Sequence, residues 1–197
     1  NLLLITESII YNSKRKNITN KGKYILYLAN TNEKIITVKD NMRNFLLTKE
    51  VSKELGMKLI FRPHPTMFPK DFYKLYGKGI FDDVIWDSYE NIDESVCQAN
   101  IVSINLSTAS LYALKKPSVC FCVGFENYIS TFSKLGIDIE QLIGKNLCLD
   151  SPYKIAEEIN NLFSDKKRLN NYFKNLKIQI SKYENIKNAY ELKDIIN

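Results

Sequence analysis

The chain has 197 residues, 45% of them apolar and 25% charged. That is an ordinary globular balance with length enough to bury a core without staples, and it excludes a collagen, a coiled-coil rod and a disordered tail. The net charge is +6 and lies at the ends. Residues 1–24 carry five basic and one acidic side chain and residues 165–197 eight and four, which leaves the middle near neutral.

No apolar run approaches the ~20 residues of a membrane span. Leu2–Ile5 is too short for a signal-peptide core and has no basic flank. The first residue is Asn1, so the chain is expected to be a piece of a longer protein. Against ~150 residues per domain, it predicts one large domain or a domain with an appendage. Only Arg15, Arg43, Arg62 and Arg168 are arginine. A nucleic-acid reader more often mixes arginines and aromatics on a basic core, so no nucleic-acid partner is expected. The four cysteines, Cys97, Cys120, Cys122 and Cys148, form no CxxC pair and no disulfide framework. They read as buried thiols of a reducing cytoplasm. The glycines make neither G-x-G-x-x-G nor a Walker loop. His64 is the lone histidine, and no clustered metal ligands or cofactor motif are visible, so neither metal nor cofactor is expected.

Residues 11–22 (YNSKRKNITNKG) are the most linker-like stretch. Lys23–Leu28 alternates as a strand, and Ala29–Asn32 is a polar turn after it. A long helix is expected from about Glu33 to Leu55, stopped by Gly56. Met57–Phe61 is the next strand, and Arg62-Pro63-His64-Pro65 forces an extended exit from it. Phe68–Tyr76 reads as a short helix and Gly79–Trp86 as a strand with a polar interruption. Ile92–Gln98 is helix, Ile101–Ile104 strand, and Thr108–Leu114 helix with Ser107 as its N-cap. Ser118–Val123 is a strand of the buried type. Residues 124–145 read as loop with one short helix, and Asn146–Leu149 as a late strand. Asp150-Ser151-Pro152 opens a helix. Helix then dominates to the end, with breaks near Asp165 and Glu184.

Strands alternating with helices, the later strands short and apolar, predict a parallel sheet covered on both faces. The fold class is α/β: a Rossmann-like three-layer domain followed by C-terminal helices. Residues 1–22 read as a linker or the remnant of a preceding domain, 23–164 as the domain, and 165–197 as helices packing on it.

In an open parallel sheet, ligands bind beyond the carboxyl ends of the strands. Three polar turns fall there: Asn30-Thr31-Asn32, Arg62 to Pro65, and Asn105 to Thr108. Their small or cationic hydrogen-bonding groups suit an anion. Ser107 and Thr108 sit where a helix start exposes unpaired N–H groups to a phosphate, although plain N-capping also accounts for Ser107. His64, stiffened between two prolines, is a candidate donor to phosphate or an acid–base group. Arg62 is a candidate bidentate phosphate contact. Glu90 and Glu94 are candidate ribose contacts, with a solvated helix-start carboxylate the preferred reading; Glu126 is similar. Trp86 reads as packing, and Tyr89 and Tyr112 as packing with base stacking the minor alternative.

R-P-H-P after a strand, followed by N-L-S-T-A-S-L-Y-A-L-K-K-P-S-V on a second strand–turn–helix, resembles the C-terminal nucleotide-binding domain of GT-B glycosyltransferases. The similarity is to bacterial capsule and polysialic acid synthases and to the glycerophosphotransferases of teichoic acid assembly. It covers about residues 23–123. In the polysialyltransferase-like group an HP motif and a Ser/Ser-Thr motif bind the nucleotide of a CMP-sugar. His64-Pro65 matches the first and Ser107-Thr108 the second, and Lys116-Pro117 looks like a segment common in the superfamily. The resemblance implies a lobe that binds a CMP-, CDP- or UDP-activated sugar or polyol phosphate, the CMP-sugar favoured, for surface polysaccharide synthesis. His64 would assist the leaving phosphate, with Asn30, Thr31, Arg62, Pro65, Ser107 and Thr108 as donor contacts. A saccharide or lipid-linked acceptor, and the general base, would belong mainly to a missing N-terminal domain, so the lobe alone would not turn over. The implied location is cytoplasmic, with peripheral contact at the inner membrane through Lys166, Lys167, Arg168, Lys174, Lys177 and Lys182 as the alternative to an ordinary solvated face. The competing reading is a non-catalytic Rossmann-like module that has lost nucleotide binding. A UDP-sugar epimerase, which needs several cleft histidines and carboxylates, fits poorly with one histidine.

Overall fold

A computed structural model describes residues 22–30, 37–64, 68–89, 91–105, 107–124 and 137–184. Its centre is a five-stranded sheet in which every pairing is parallel: β1 (Gly22–Leu28), β2 (Lys58–Arg62), β3 (Val84–Trp86), β4 (Ala99–Ser103) and β5 (Val119–Phe121). Their order across the sheet is β3-β2-β1-β4-β5. The chain therefore steps outward from β1 to β3, crosses back, and steps outward again through β4 to β5. Right-handed crossovers in opposite directions place their helices on opposite faces. The result is the Rossmann-like three-layer α/β fold.

Helix α1 (Val38–Glu54) covers one face with α6 (Pro152–Ser164), against which it packs. Helices α3 (Ile92–Gln98) and α4 (Thr108–Leu114) cover the other, where the Ser118 hydroxyl of the α4–β5 connection donates to Ala99 O at 2.9 Å. Thr37 caps α1: its hydroxyl accepts from Asp40 N at 3.1 Å and donates to the Asp40 carboxylate at 2.6 Å. Gly56, at φ +60°, takes the left-handed conformation that lets the chain turn back into β2. The α1-side core is aromatic. The ring of Phe61 on β2 meets those of Phe45, Phe72, Phe81 and Trp86 with centroids 4.9–5.3 Å apart. Trp86 is thus a packing residue.

Most elements lie where the periodicity places them, and the exceptions have local causes. The helix expected from Glu33 is seen from Val38, with Glu33–Ile36 outside the described residues. Gly79–Trp86 is not one strand. It divides into a 3-10 turn at Lys78–Phe81 and strand β3, because Lys49 of α1 donates to Ile80 O at 2.6 Å and pairs with Asp83, pinning the chain between them. Ser118–Val123 shortens to β5 followed by a single bridge at Cys122. The strand expected at Asn146–Leu149 reduces to that same bridge, Cys122 to Cys148. The N–H groups of Leu147 and Cys148 are turned back to Gly144 and Lys145 in a 3-10 turn and cannot join a ladder. In the 124–145 stretch α5 (Ile139–Ile143) is the expected short helix, and residues 125–136 lie outside the described residues. Between β2 and β3, α2 (Pro69–Tyr76) starts one residue later than expected.

Helix α7 (Lys166–Glu184) packs on α5 and α6 and closes the β5 edge. The hydroxyl of Tyr172 accepts the Cys120 main-chain N–H at 2.9 Å, and Leu176 is buried in the core. An exposed edge N–H is a template for unwanted strand addition, and a covering helix removes it. Burial raises the Tyr172 hydroxyl well above its ordinary pKa, so it stays a neutral partner. Cys120, Cys122 and Cys148 are buried thiols, and Cys97 is half-buried. Burial, with Asp150 nearby, pushes the Cys122 thiol up to about 12. Among the described residues, no helix is long and apolar enough to cross a membrane.

Two outcomes are expected. Tyr172→Phe leaves the buried Cys120 N–H without its partner and lowers stability by about 1–3 kcal/mol, read by urea denaturation. In the native protein at pH 8 a thiol of pKa 12 is ionised in about one molecule in ten thousand. A disulfide reagent should then label Cys97 rapidly, and Cys122 only after denaturant is added.

Candidate functional site

The strand order reverses at β1, which has β2 on one side and β4 on the other. In an open parallel sheet this is the crevice where ligands bind. Ala29 and Asn30 leave β1 there, Pro63 and His64 leave β2, and Ile104 and Asn105 leave β4. Neighbouring strands lie ~4.8 Å apart, so the exits of β2 and β4 are about 10 Å apart with β1 between them.

A chain of polar groups closes the β1–β4 side. The Asn105 side-chain Nδ2 donates to Leu28 O. The Asn105 N–H goes to Ser110 Oγ at 3.0 Å, and the Ser110 hydroxyl donates to Asn105 O at 2.6 Å. A serine hydroxyl has one proton. Since Ser110 gives its proton to Asn105 O, the 3.2 Å contact between Ser107 and Ser110 hydroxyls runs from Ser107 to Ser110. Ser107 holds the N-cap backbone position of α4, at φ −145° and ψ 155°, but its hydroxyl makes no cap bond to the helix. This differs from the expected side-chain cap, and the cause is the pull of Ser110. The Ser107 proton is thus engaged inside the turn.

The opposite wall is α1. Asn41, Asn44, Phe45, Thr48, Val51 and Ser52 are its buried face, spaced at helical intervals; four of the six are polar, with the two amides, Asn41 and Asn44, toward the helix start. Asn41 accepts from the Tyr27 hydroxyl at 2.9 Å and donates to Asn30 O. Thr48 gives its proton to Asn44 O at 2.8 Å, so the Ser103 hydroxyl on β4 is the donor in its 2.9 Å contact with Thr48. Gly124, at the exit of β5 with φ +67°, lets the chain pass the Asn44 amide. A Cβ there would lie 1.7 Å from Asn44 Oδ1.

Arg62 faces the other way. Its Nη1 donates to Asp87 Oδ2 at 2.7 Å, Ser95 Oγ at 2.7 Å and Tyr89 O at 2.9 Å, and the Ser95 hydroxyl donates to Asp87 at 2.5 Å. The Asp87 side chain is 2% exposed and that of Arg62 13%, so this is a buried ion pair joining β2 to the exit of β3 and to α3. Burial, with Tyr89 and then Asp87 adding to it, raises the Tyr24 hydroxyl far above its ordinary value. Arg62 therefore serves Asp87, where the sequence reading offered it to a phosphate. His64 is exposed at the end of β2. Asn30 is buried, its carbonyl bonded to Asn41. Lys116 is buried too, in an ion pair at 3.0 Å with Asp93 that ties the end of α4 to the start of α3.

The structure thus brings Asn30, Asn105 and Ser107 together across the β1–β4 crevice and places His64 on its β2 side. Thr31, Pro65 and Glu90 lie outside the described residues, as does Glu126; of Thr108 only the backbone is described. The sequence reading missed Asn41, Asn44 and Ser110. Amides at core positions of the helical period were the available signal for the first two. Among the described residues no group of three or more His, Cys, Asp and Glu side chains could hold a metal ion. Comparison with known proteins finds no matching family model and no matching curated protein.

Removing one partner of a buried ion pair leaves the other charge stranded, at a cost of about 3–5 kcal/mol. Asp87→Ala is expected to destabilise by that amount, and Asp87→Asn, which keeps an acceptor for Arg62, by less. Chemical denaturation of both variants checks the order.

Proposed function

We propose that this chain is the donor-nucleotide-binding lobe of a two-lobed GT-B glycosyltransferase of bacterial surface polysaccharide synthesis, similar to capsule polymerases and sialyltransferases. Its donor is a CMP-, CDP- or UDP-activated sugar or polyol phosphate, with the CMP-sugar favoured. One observation carries the reading. The two segments that bear the resemblance, at His64 and at Ser107, lie at the exits of β2 and β4 on either side of the crevice where such a sheet binds ligands.

In this reading the nucleotide lies across the end of β1. With an activated sugar the bond between the anomeric carbon and the donor phosphate breaks, and with an activated polyol phosphate the P–O–P bond breaks; in both, negative charge develops on the leaving nucleotide's phosphate. His64, exposed and at the β2 exit, donates a hydrogen bond or proton to it, in the manner of an oxyanion stabiliser. The acceptor hydroxyl attacks from the other lobe, whose base removes its proton. Ser107 donates to the phosphate once its proton leaves Ser110, a rotation about one bond. The reaction runs on the cytoplasmic side, where activated donors are made. The exposed cations of α7, Lys166, Lys167, Lys174, Lys177 and Lys182, offer contact with anionic lipid. Arg168 is held to Glu158 by two bonds of 2.8 Å.

A second reading, a Rossmann-like module without nucleotide binding, is favoured by one observation: the Arg62 and Ser107 donors are already used within the fold. Nucleotide binding separates the two. A ligand at about 100 times its Kd adds ~2.7 kcal/mol, which raises the Tm of a chain this size by roughly 5–10 °C. CMP, CDP or UDP should produce such a shift in thermal denaturation. His64→Ala and Ser107→Ala should each reduce it, with the unliganded Tm of the exposed His64→Ala near that of the parent. A folded sample that answers to none of the three overturns the transferase reading and leaves the module.

A further inference from the structure

The Asn105 amide presents a feature that the fold itself does not use. The residue is 3% exposed, and its Oδ1 is buried with no hydrogen-bond partner. The assignment of the two amide atoms is fixed by chemistry. Leu28 O can only accept, so the arm that meets it is the N–H2 and the other is the oxygen. The remaining groups of Asn105 are occupied, its N–H and its C=O by Ser110. The side chain cannot turn to satisfy Oδ1 without giving up Leu28, and the main chain cannot move without giving up Ser110. Buried acceptors are nearly always paired, and one held rigidly unpaired at a ligand crevice points to a donor that arrives with the ligand.

We infer that Asn105 is a specificity-determining residue, its Oδ1 accepting a hydrogen bond from an uncharged donor of the nucleoside. This rests on the nucleotide-binding reading above and names what the β1–β4 side of the site recognises. The donor is a ribose hydroxyl or the exocyclic amine of cytosine. Both are neutral groups with a proton to give, and a phosphate oxygen has none at neutral pH. The phosphates then lie toward His64, about two strand spacings away. Loss of the donor leaves Oδ1 buried and unpaired in the complex, an asymmetry that discriminates by about tenfold to a hundredfold.

The experiment is calorimetric titration of the chain with CMP, 2′-deoxy-CMP, 3′-deoxy-CMP and UMP. One of the three changes from CMP is expected to weaken binding at least about tenfold: a deoxy analogue if the donor is a hydroxyl, UMP if it is the amine. In Asn105→Ala that preference should fall to within about threefold. A structure of the CMP complex reads the same contact without a variant, so the test stands even if Asn105→Ala does not fold: a ligand O–H or N–H should lie about 3 Å from Oδ1. Equal binding of all four nucleotides, or a complex in which only a water meets Oδ1, overturns the inference and leaves nucleotide binding intact. Binding of none overturns both.

Discussion

The Leu28 carbonyl, at the end of the central strand, sets what the rest of the crevice must do. The β1–β4 register pairs Leu26 with Val102. Continued by two residues, it would bring the Asn105 N–H to the Leu28 oxygen. The strand turns away before that, because the chain must leave β4 for α4. The carbonyl is buried and needs a donor. Asn105 supplies one from its side chain, and its own N–H passes to Ser110. One amide thus ends the ladder and starts the turn. The position of Ser110, and through it of Ser107, follows from that substitution.

The same shortage explains the composition of α1. Where strands diverge at a reversal of order, main-chain groups outlast their ladder partners, and side chains must meet them. Asn41 meets the Asn30 carbonyl, and the Tyr27 hydroxyl in turn is spent on Asn41. The helix end that lies over the reversal therefore carries amides. The end over the aromatic cluster carries Phe45 and Val51. Gly124 belongs to the same arrangement, since only a residue without a side chain can pass the Asn44 amide at the β5 exit. The wall is built of dipoles and is held at fixed geometry from both sides.

The order of strands and helices was legible in the sequence because it rests on local signals. Helices Ile92–Gln98 and Thr108–Leu114 came out with the expected bounds, since an Asn or Ser precedes each and an abrupt stop follows. What was not legible depends on partners far away in sequence. The Asn105 amide finds a carbonyl 77 residues back, and no spacing rule reaches that. In sequence Arg62 suggests a ligand contact, because its neighbours are prolines and a histidine. Its partner is Asp87, 25 residues on, at the end of a three-residue strand that the sequence showed only as an interrupted run. The late strand failed for the opposite reason. Leu147 and Cys148 are apolar enough, but a 3-10 turn had already used their donors.

The burial of Arg62 changes the electrostatics of the whole rim. The middle of the chain is close to neutral, so a bound anion gains little from a general field. With Asp87 beside it, the guanidinium is locally neutralised, and its field falls off as that of a dipole. The buried pair stiffens the β2–β3 side on which His64 is mounted, and in the transferase proposed above a stiff mount suits a group that meets a charge developing at one point. Affinity on the other side must come from hydrogen bonds of fixed direction. Such bonds are selective because each buried acceptor left unpaired costs more than a satisfied one returns. In the proposed nucleotide lobe, a rim built in this way would hold its ligand chiefly by where that ligand carries its protons.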